Sequence, residues 1–209
     1  IFLLIIMQRM VTSSTAAIRQ SLERRLNVLL EQRTCVGNLR EEDLDELNIE
    51  DGVEDALEAI SLDMELEIEE LKQIISLAKQ AQFQNQDAKV EPLLNEIDAI
   101  LSEDRTQKVI IFTEFVATQT YLQELLVNRG YTVTILNGGM SIDERNAAMQ
   151  EFKTSTSIFI STDAGGEGLN LQFANIIINY DLPWNPMKIE QRCGRVDRIG
   201  QQRDVHIYN

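Results

Sequence analysis

Two arginines whose spacing suits phosphate binding lie near the end of the chain. Gln191 opens a segment in which Arg195 and Arg198 stand three residues apart. We predict a helix here with both arginines on one face, because residues three apart are neighbours on a helix surface. A guanidinium group keeps its charge and binds phosphate oxygens in a two-pronged manner. The segment therefore predicts a surface that presents positive charge to a phosphate-bearing ligand.

A glycine-rich segment precedes these arginines. It follows the apolar run Ile158–Ile160 and contains Gly165, Gly166 and Gly168 before it reaches Asn170. Glycines that follow a strand allow backbone N–H groups to approach a ligand closely. This segment is therefore a second candidate for binding phosphate.

Two parts that nucleoside triphosphate hydrolysis needs are missing from the sequence. A phosphate cradle of the form Gly-x-x-x-x-Gly-Lys-Ser/Thr does not occur, and no Asp-Glu pair follows a buried strand. Hydrolysis also needs positive charge on the transferring phosphoryl group, which arginines supply. The chain thus carries the complementary half of such a site, and we predict that this polypeptide alone does not hydrolyse ATP.

Apolar runs alternate with helical patterns from Lys108 onward. Five strands are predicted, over residues 109–112, 131–136, 158–160, 176–178 and 205–208. Helices are predicted between them, one beginning at the capping box Ser141–Glu144 and one opened by Pro186. Strands buried on both faces that alternate with helices form parallel sheets with right-handed crossovers. We therefore predict an α/β lobe with a mainly parallel sheet flanked by helices.

The first 107 residues carry helical patterns instead. Apolar residues from Ile18 to Leu29 and from Leu57 to Ala78 recur every three or four positions, and Pro92 suits the first turn of a further helix. The arginines of the first of these helices are interpreted as a solvated face, with phosphate contact as the alternative. We predict two domains, an all-helical region over 1–107 and the α/β lobe over 108–209.

The charge of the chain is acidic and uneven. The net charge is −15, and residues 41–70 contain fifteen acidic residues and no lysine or arginine. Residues 188–203 instead hold five basic residues against two acids. A local field matters more to a phosphate ligand than the total charge, so the acidic balance weakens a nucleic-acid role without removing it. The acidic helices are expected to face solvent, and docking of a protein partner there is the alternative.

Cysteine and apolar content indicate the compartment. Cys35 and Cys193 are far apart in the sequence, and with one histidine no metal-ligand cluster is predicted. Reduced thiols in a cytoplasmic protein are the expectation. The apolar start Ile1–Met7 is too short to span a bilayer, so no membrane role is predicted. Because it lacks an initiator methionine, we expect the chain to begin inside a larger protein.

The last hundred residues resemble a known family. Residues 161–170, the segment Asp181–Pro186 and residues 191–201 are similar, in order and distance, to the last motifs of superfamily-two helicases. Trp184–Pro186 and Arg198–Gln201 resemble the Swi/Snf-type DNA translocases, particularly their bacterial branch. The resemblance covers residues 108–209 well and implies a RecA-like lobe, the second of two, preceded by a helical protrusion.

The resemblance implies roles for particular residues. Arg195 and Arg198 would be the arginine fingers, and Gln191, Gly168 and Asn170 would face the nucleotide. ATP and Mg²⁺ would be bound mainly by the first RecA-like lobe of the same parent chain. An exposed arginine pair that forms surface ion bridges is the alternative for Arg195 and Arg198.

The resemblance also implies contact with double-stranded DNA. Thr113, Gly139 and Thr162, each at or just beyond the end of a predicted strand, match positions that touch the nucleic-acid backbone. Hydroxyl groups and glycine N–H groups bind phosphate without reading sequence, although ordinary turn chemistry would explain the same residues. Trp184 could stack on a base, but an indole packed beneath the arginine helix is the favoured interpretation.

The sequence is consistent with three functions. The first is the second motor lobe of an ATP-dependent double-stranded DNA translocase, driven by closure of the two lobes on ATP. The second is a lobe of an RNA or single-strand helicase, which Trp184–Pro186 and Arg198–Gln201 disfavour. The third is a non-catalytic interaction module that uses the acidic helices, which the intact arginine and glycine motifs disfavour.

Overall fold

Strands and helices alternate from residue 109 onward in a computed structural model, which describes residues 2–37, 53–83, 87–166 and 168–209. The first part of the predicted acidic stretch, residues 41–52, lies outside the described residues. So does Asn38, where the first long helix was expected to stop; the described helix there ends at Gly37.

The sheet has five parallel strands in the order β2-β3-β1-β4-β5. They are β1 (Val109–Thr113), β2 (Val133–Leu136), β3 (Ile158–Thr162), β4 (Ile176–Asn179) and β5 (His206–Tyr208). The residues of β1, β3 and β4 are all buried, because helices cover both faces of a sheet of this kind. The α/β fold with a parallel sheet is therefore confirmed.

Eight helices lie within the described ranges of the chain. They are α1 (Phe2–Ser13), α2 (Thr15–Gly37), α3 (Val53–Phe83), α4 (Val90–Glu103), α5 (Val116–Asn128), α6 (Ile142–Thr154), α7 (Asp163–Gly166) and α8 (Met187–Cys193). The predicted capping box begins α6: the Ser141 side chain accepts from the Glu144 N–H, and the Glu144 carboxylate accepts from the Ser141 N–H. None of the described helices is long and apolar enough to cross a bilayer.

The two faces of the sheet form separate apolar cores. Val109 and Ile111 of β1 join one core with α4 and α5, whereas Ile110 and Phe112 join the other with Phe152 of α6. Successive residues of a strand point to opposite faces, so a single continuous apolar run supplies both cores. This rigid sheet fixes the positions of the loops that follow each strand.

The chain forms two compact units, Ile1–Ala17 with Asp87–Asn209, and Ile18–Gln86. Helix α4 belongs to the first unit because Leu93, Ile97 and Leu101 pack in the core of the sheet. The packing units are thus not divided where the strand pattern begins, at residue 108. The two-domain division 1–107 and 108–209 stays a prediction.

The second unit is a helical hairpin. Leu22 and Leu29 of α2 pack against Ile68, Leu71 and Ile75 of α3 in a small core. Arginines predicted to form a solvated face pair with acidic residues of α3: Arg25 with Glu67 at 2.8 Å and Arg33 with Glu65 at 3.1 Å. These side chains are about half exposed, which fits the solvated interpretation.

Candidate functional site

The polar edge of the sheet is formed by the carboxyl ends of four neighbouring strands. β1 ends at Thr113, β3 ends at Thr162, and the turn at Gly139 follows β2. Asp181 follows β4 by two residues. Parallel strands direct their carboxyl ends to one edge, so the structure brings these predicted residues to one side of the lobe.

Asp181 is the most connected side chain of this edge. It is buried, and its Oδ2 accepts from Ser13 Oγ at 2.7 Å, Thr113 Oγ1 at 2.6 Å and the Glu114 N–H at 3.1 Å. Its Oδ1 accepts from Lys89 Nζ at 3.0 Å. One carboxylate therefore ties the end of α1 to the ends of β1 and β4, which stabilises the edge as a unit.

Thr113 serves this network. Its side chain is 0 % exposed, and its hydroxyl donates to Asp181. In this conformation the hydroxyl is thus directed inward rather than toward a ligand. Thr162 is also buried, and its Oγ1 accepts from the Gly165 N–H at 3.3 Å, which holds the start of the glycine-rich loop.

Gly139 is the exposed member of the predicted DNA-binding set. Together with Thr162 it lines a cleft of about 630 Å³, whose basic wall contains Arg9 and Lys188. Both cations are paired, Arg9 with Glu114 and Lys188 with Asp163 at 3.2 Å. Burial raises the pKa of Glu114, and the hydrogen bond from Arg9 only partly offsets this. The cleft is therefore close to neutral and offers backbone more than free positive charge.

The glycine-rich loop packs tightly on the end of β2. A Cβ atom at Gly165 would lie 2.6 Å from the Leu136 carbonyl oxygen, closer than such atoms approach. Gly168 has φ of +75°, a left-handed conformation that favours glycine. Glycine is thus required at 165 by packing and favoured at 168 by backbone conformation.

A buried arginine that sequence reasoning did not single out anchors the arginine segment. Arg192 of α8 is 1 % exposed. Its Nε and Nη2 donate to Asp163 Oδ1 at 2.9 and 2.6 Å, and its Nη1 donates to Asn179 Oδ1 and to the Asp181 carbonyl at 2.7 and 3.0 Å. The guanidinium also lies 4.9 Å from the centre of the Phe112 ring. Helix α8 is therefore fixed to β1, β4 and the loop after β3.

Asp163 is the acidic partner of this anchor. Burial acts to raise its pKa, but hydrogen bonds from Arg192 and Lys188 outweigh burial and lower the pKa. The pair was missed because residue type does not distinguish a buried arginine from an exposed one. The available signal was positional: Asp163 directly follows a buried strand, and Arg192 lies on the helix that Pro186 opens.

The predicted helix over the arginine motif ends early, and this part of the prediction is wrong. Helix α8 stops at Cys193, so Arg195 and Arg198 lie in the turns that follow it. The physical reason is a tertiary hydrogen bond: the Arg195 carbonyl accepts from the Leu171 N–H at 3.0 Å instead of from a later turn of helix. This bond joins the arginine segment to the loop that carries Gly168 and Asn170.

The predicted nucleotide-facing residues lie around this junction. Gln191, Gly168 and Asn170 are exposed, and Arg198 is exposed with its Nε donating to the Gly194 carbonyl at 2.8 Å. Arg195 is half-buried, with its guanidinium 5.9 Å from the centre of the Phe112 ring. The fold thus brings the glycine loop and the arginines together, although not on one helix face.

Trp184 is not packed beneath the arginine helix, and that interpretation is wrong. Its side chain is 71 % exposed, and the Arg9 guanidinium lies 5.9 Å from its ring centre. The turn is instead organised by the Asn185 side chain, whose Oδ1 accepts from the Met187 N–H at 3.0 Å at the start of α8. The Asn185 side chain therefore stabilises this turn, which was the role predicted for the Trp184 indole.

The donor groups needed for a metal site are not brought together in the described parts of the chain. Within the ranges that the structure describes, no group of three histidine, cysteine, aspartate or glutamate side chains is arranged to hold a metal ion. Asp163 and Asp181, the carboxylates of the polar edge, are already engaged by basic and hydroxyl donors. The described residues therefore do not fit a Mg²⁺ site.

Comparison with known proteins identifies the class. Residues 88–200 match the helicase conserved C-terminal domain, and the chain belongs to this family. The C-terminal part of the Fun30 ATPase domain has a similar fold, with a TM-score of 0.55 over 93 % of this chain and 68 % of that one at 22 % identity. The resemblance to the second lobe of helicases is therefore confirmed.

Particular relatives are bacterial. The chain is 49 % identical over 125 residues to the uncharacterized ATP-dependent helicase YqhH of Bacillus subtilis, an alignment of 60 % of this chain and 22 % of YqhH. It is 38 % identical over 126 residues to the RNA polymerase-associated protein RapA of Vibrio cholerae, covering 58 % of this chain and 13 % of RapA. The chain thus spans less than a quarter of the length of these relatives.

Proposed function

We propose that the chain is the second motor lobe of an ATP-dependent double-stranded DNA translocase of Swi/Snf type. In this proposal Arg195 and Arg198 reach ATP that is bound on a first lobe of the same protein. The observation that carries it is the hydrogen bond between the Leu171 N–H and the Arg195 carbonyl, which joins the glycine loop and the arginines at one edge. Positive charge placed there stabilises the transferring phosphoryl group.

The surroundings of the arginines support this role. Arg198 is exposed, so the first lobe would close on it, while the buried Arg192 holds the preceding helix in place. Gln191, Gly168 and Asn170 would line the nucleotide face. Mg²⁺ would accompany ATP on the first lobe, since the described residues of this chain do not fit a metal site.

DNA would bind at the cleft lined by Gly139 and Thr162. Gly139 offers exposed backbone, whereas Thr162 and Thr113 act from beneath the surface by fixing the loop and the end of β1. Contacts of this kind go to phosphate and sugar and read no base. The lobe would thus follow a duplex independently of its sequence.

A comparison of ATP hydrolysis by two proteins tests the proposal. This chain alone and the longer protein that includes a first lobe are assayed for phosphate release with excess Mg²⁺ and duplex DNA. We expect turnover from the longer protein only, because the phosphate cradle is missing from this sequence. Turnover that copurifies with this chain alone, and is lost in its Arg198→Ala variant, would show that a complete site exists here.

We propose a second role for helix α3, in binding a protein partner. Its outer side chains Leu62, Leu66 and Leu77 are exposed although they are apolar, and acidic residues lie between them. Exposed apolar patches rimmed by charge mark interaction surfaces. Because the RapA relatives are named RNA polymerase-associated, we propose bacterial RNA polymerase as the partner.

Binding of purified RNA polymerase to this chain tests the second role. Leu66→Asp is expected to weaken binding about tenfold, because it places a charge in the apolar surface. A tenfold change corresponds to about 1.4 kcal/mol. Gln32→Asp, which also places a charge at an exposed position but on α2, is the control and should bind as the unmodified chain does. Equal binding by both variants would exclude this face of α3.

A further inference from the structure

We propose that Gln119 of α5 is a positioning residue that sets the geometry of the turn at Gly138 and Gly139 for DNA contact. The inference rests on the proposed function, because it assumes that this turn contacts DNA. It adds a residue that is itself too deeply buried to touch a ligand. The geometry that points to it is a chain of hydrogen bonds from the core to the turn.

Gln119 joins two neighbouring strands, β2 and β3. Its side chain is 0 % exposed, and its Nε2 donates to the Leu136 carbonyl at 2.9 Å and to the Ile160 carbonyl at 2.7 Å. Leu136 is the last residue of β2, and Ile160 is the middle residue of β3, two residues before its carboxyl end. Both N–H bonds of the amide are therefore used across the edge where the sheet gives way to the loops.

The remaining atom of the Gln119 amide reaches the turn. Its Oε1 accepts from Asn137 Nδ2 at 3.1 Å, and Asn137 Oδ1 in turn accepts from the Gly139 N–H at 3.1 Å. Rotating the Gln119 amide by half a turn would place its oxygen against two carbonyl oxygens. The orientation of Gln119 is thus fixed, and it fixes the orientation of the Asn137 amide.

The other side of the turn is fixed by packing. A Cβ atom at Gly138 would lie 3.0 Å from the Ala164 Cβ, so the turn lies directly on the glycine-rich loop. The Leu136 carbonyl that Gln119 binds is the same atom that Gly165 approaches. The turn is therefore held between α5 and the loop after β3, and a change at Gln119 releases one side only.

The preceding residue of α5 binds the other half of the edge. Thr118 Oγ1 lies 2.8 Å from Ser13 Oγ and 2.7 Å from Ser14 Oγ, and Ser13 donates to Asp181. Two consecutive side chains of one helix thus connect to both halves of the polar edge. Thr118 connects to the half that contains Asp181, and Gln119 connects to the half that contains Gly139.

The turn offers its ligand an ordered glycine backbone. Where a phosphate oxygen approaches the Gly139 N–H, it shares or replaces Asn137 Oδ1, which already occupies that position. A turn held in this shape loses little conformational entropy on binding, because the backbone is ordered beforehand. Loss of the Gln119 and Asn137 connection should therefore weaken DNA binding without removing any group that DNA touches at Gln119.

Two variants test the inference in this chain. Gln119→Leu removes the whole connection, and Asn137→Ala removes only its outer part while the Gln119 bonds to both strands stay intact. Gln123→Leu, the same change further along α5, is the matched control. Amide hydrogen exchange at Gly139 reports the order of the turn, and fluorescence anisotropy with a labelled duplex of about 20 base pairs reports binding. Thermal unfolding shows whether each variant is folded.

We expect faster exchange at Gly139 and about three- to tenfold weaker DNA binding in both variants, with neither change in the control. A double variant with Gln119→Leu and Asn137→Ala should bind DNA as tightly as whichever single variant binds DNA less tightly. The effects should not add, because both substitutions act through one connection. Folded Gln119→Leu with unchanged exchange at Gly139 overturns the positioning role, and unchanged exchange in folded Asn137→Ala overturns the connection through Asn137. Faster exchange with unchanged DNA affinity instead overturns the assignment of this turn to DNA in the proposed function.

Discussion

The arginines of the helical hairpin and those of the sheet edge have the same chemistry but different surroundings. Arg25 of α2 is about half exposed and pairs with Glu67, whereas Arg192 is 1 % exposed and donates to a side-chain carboxylate, a side-chain amide and a backbone carbonyl. An exposed pair competes with water and contributes less than about 1 kcal/mol. Breaking a buried pair leaves an uncompensated charge and costs several times more.

The difference shows where arginine contributes to architecture and where it is available for a ligand. In the hairpin, the basic residues balance the acidic face of α3. At the sheet edge, one arginine is buried as an anchor, and this arrangement leaves Arg198 exposed close behind it. The four predictions that follow test this contrast.

The largest effect is expected at the proposed arginine fingers. In the longer protein, Arg195→Ala or Arg198→Ala should lower ATP turnover by about three or more orders of magnitude, the usual effect of removing an arginine finger. Steady-state phosphate release at saturating DNA measures it. Arg129→Ala, which removes an exposed arginine paired with Asp98, is the control and should keep normal turnover. Near-normal turnover in folded Arg198→Ala would assign that arginine to surface ion pairing.

Removal of the buried anchor should be the largest change in stability. Arg192→Met keeps an unbranched side chain but leaves Asp163 without its main partner, so the free energy of unfolding should fall by about 3–5 kcal/mol. Urea unfolding of this chain followed by circular dichroism measures it. In the Asp163→Asn background the same change should cost less, because no buried carboxylate is then left unpaired. A loss below 1 kcal/mol for Arg192→Met alone would contradict the anchor.

DNA binding by this chain should be weak and only slightly dependent on salt. The cations of the proposed cleft, Arg9 and Lys188, are paired with acids, so few counterions are released on binding. A log–log slope of about one to three is expected, at roughly 0.9 per neutralised phosphate. Anisotropy titrations at several salt concentrations, with duplexes of different sequence, measure it. A steep slope or a preferred sequence would contradict this prediction, because it would require a basic or base-reading surface outside the cleft. The hairpin is acid-rich and does not offer such a surface.

The smallest effect is expected in the hairpin. Arg25→Ala should lower the free energy of unfolding by less than about 1 kcal/mol, because the pair with Glu67 is exposed to water. The effect should shrink further at high salt, since exposed charges are screened. Urea unfolding at low and high salt gives both values. A loss as large as that of Arg192→Met would remove the contrast between the two regions.

The strands and the α/β fold could be predicted because continuous apolar runs such as Val109–Phe112 have few alternatives to a buried parallel strand. The capping box at Ser141 could be predicted because it depends on residues that are close in sequence. Both signals are local. The end of α8 depends instead on a hydrogen bond from Leu171, which is 24 residues away from Arg195 and leaves no local signal.

The inner parts of the site were beyond sequence reasoning for the same reason. Thr113 and Gln119 are buried polar residues whose partners, Asp181 and Asn137, come from the loops that follow other strands. The family resemblance implied that Thr113 touches the nucleic-acid backbone, whereas the fold directs its hydroxyl inward to Asp181. The sequence therefore predicted the edge that carries the candidate site and the glycines that form it, but not the buried residues that support it.

The exposure of Trp184 determines what tryptophan fluorescence can report about this lobe. It is the only tryptophan in the sequence, and its indole already faces water. Its fluorescence should therefore emit at long wavelength in the folded chain and shift little on unfolding. The same emission should respond when another surface covers the turn between β4 and α8. The natural tryptophan is thus a poor probe of folding and a built-in optical probe of contacts made beside the arginine segment.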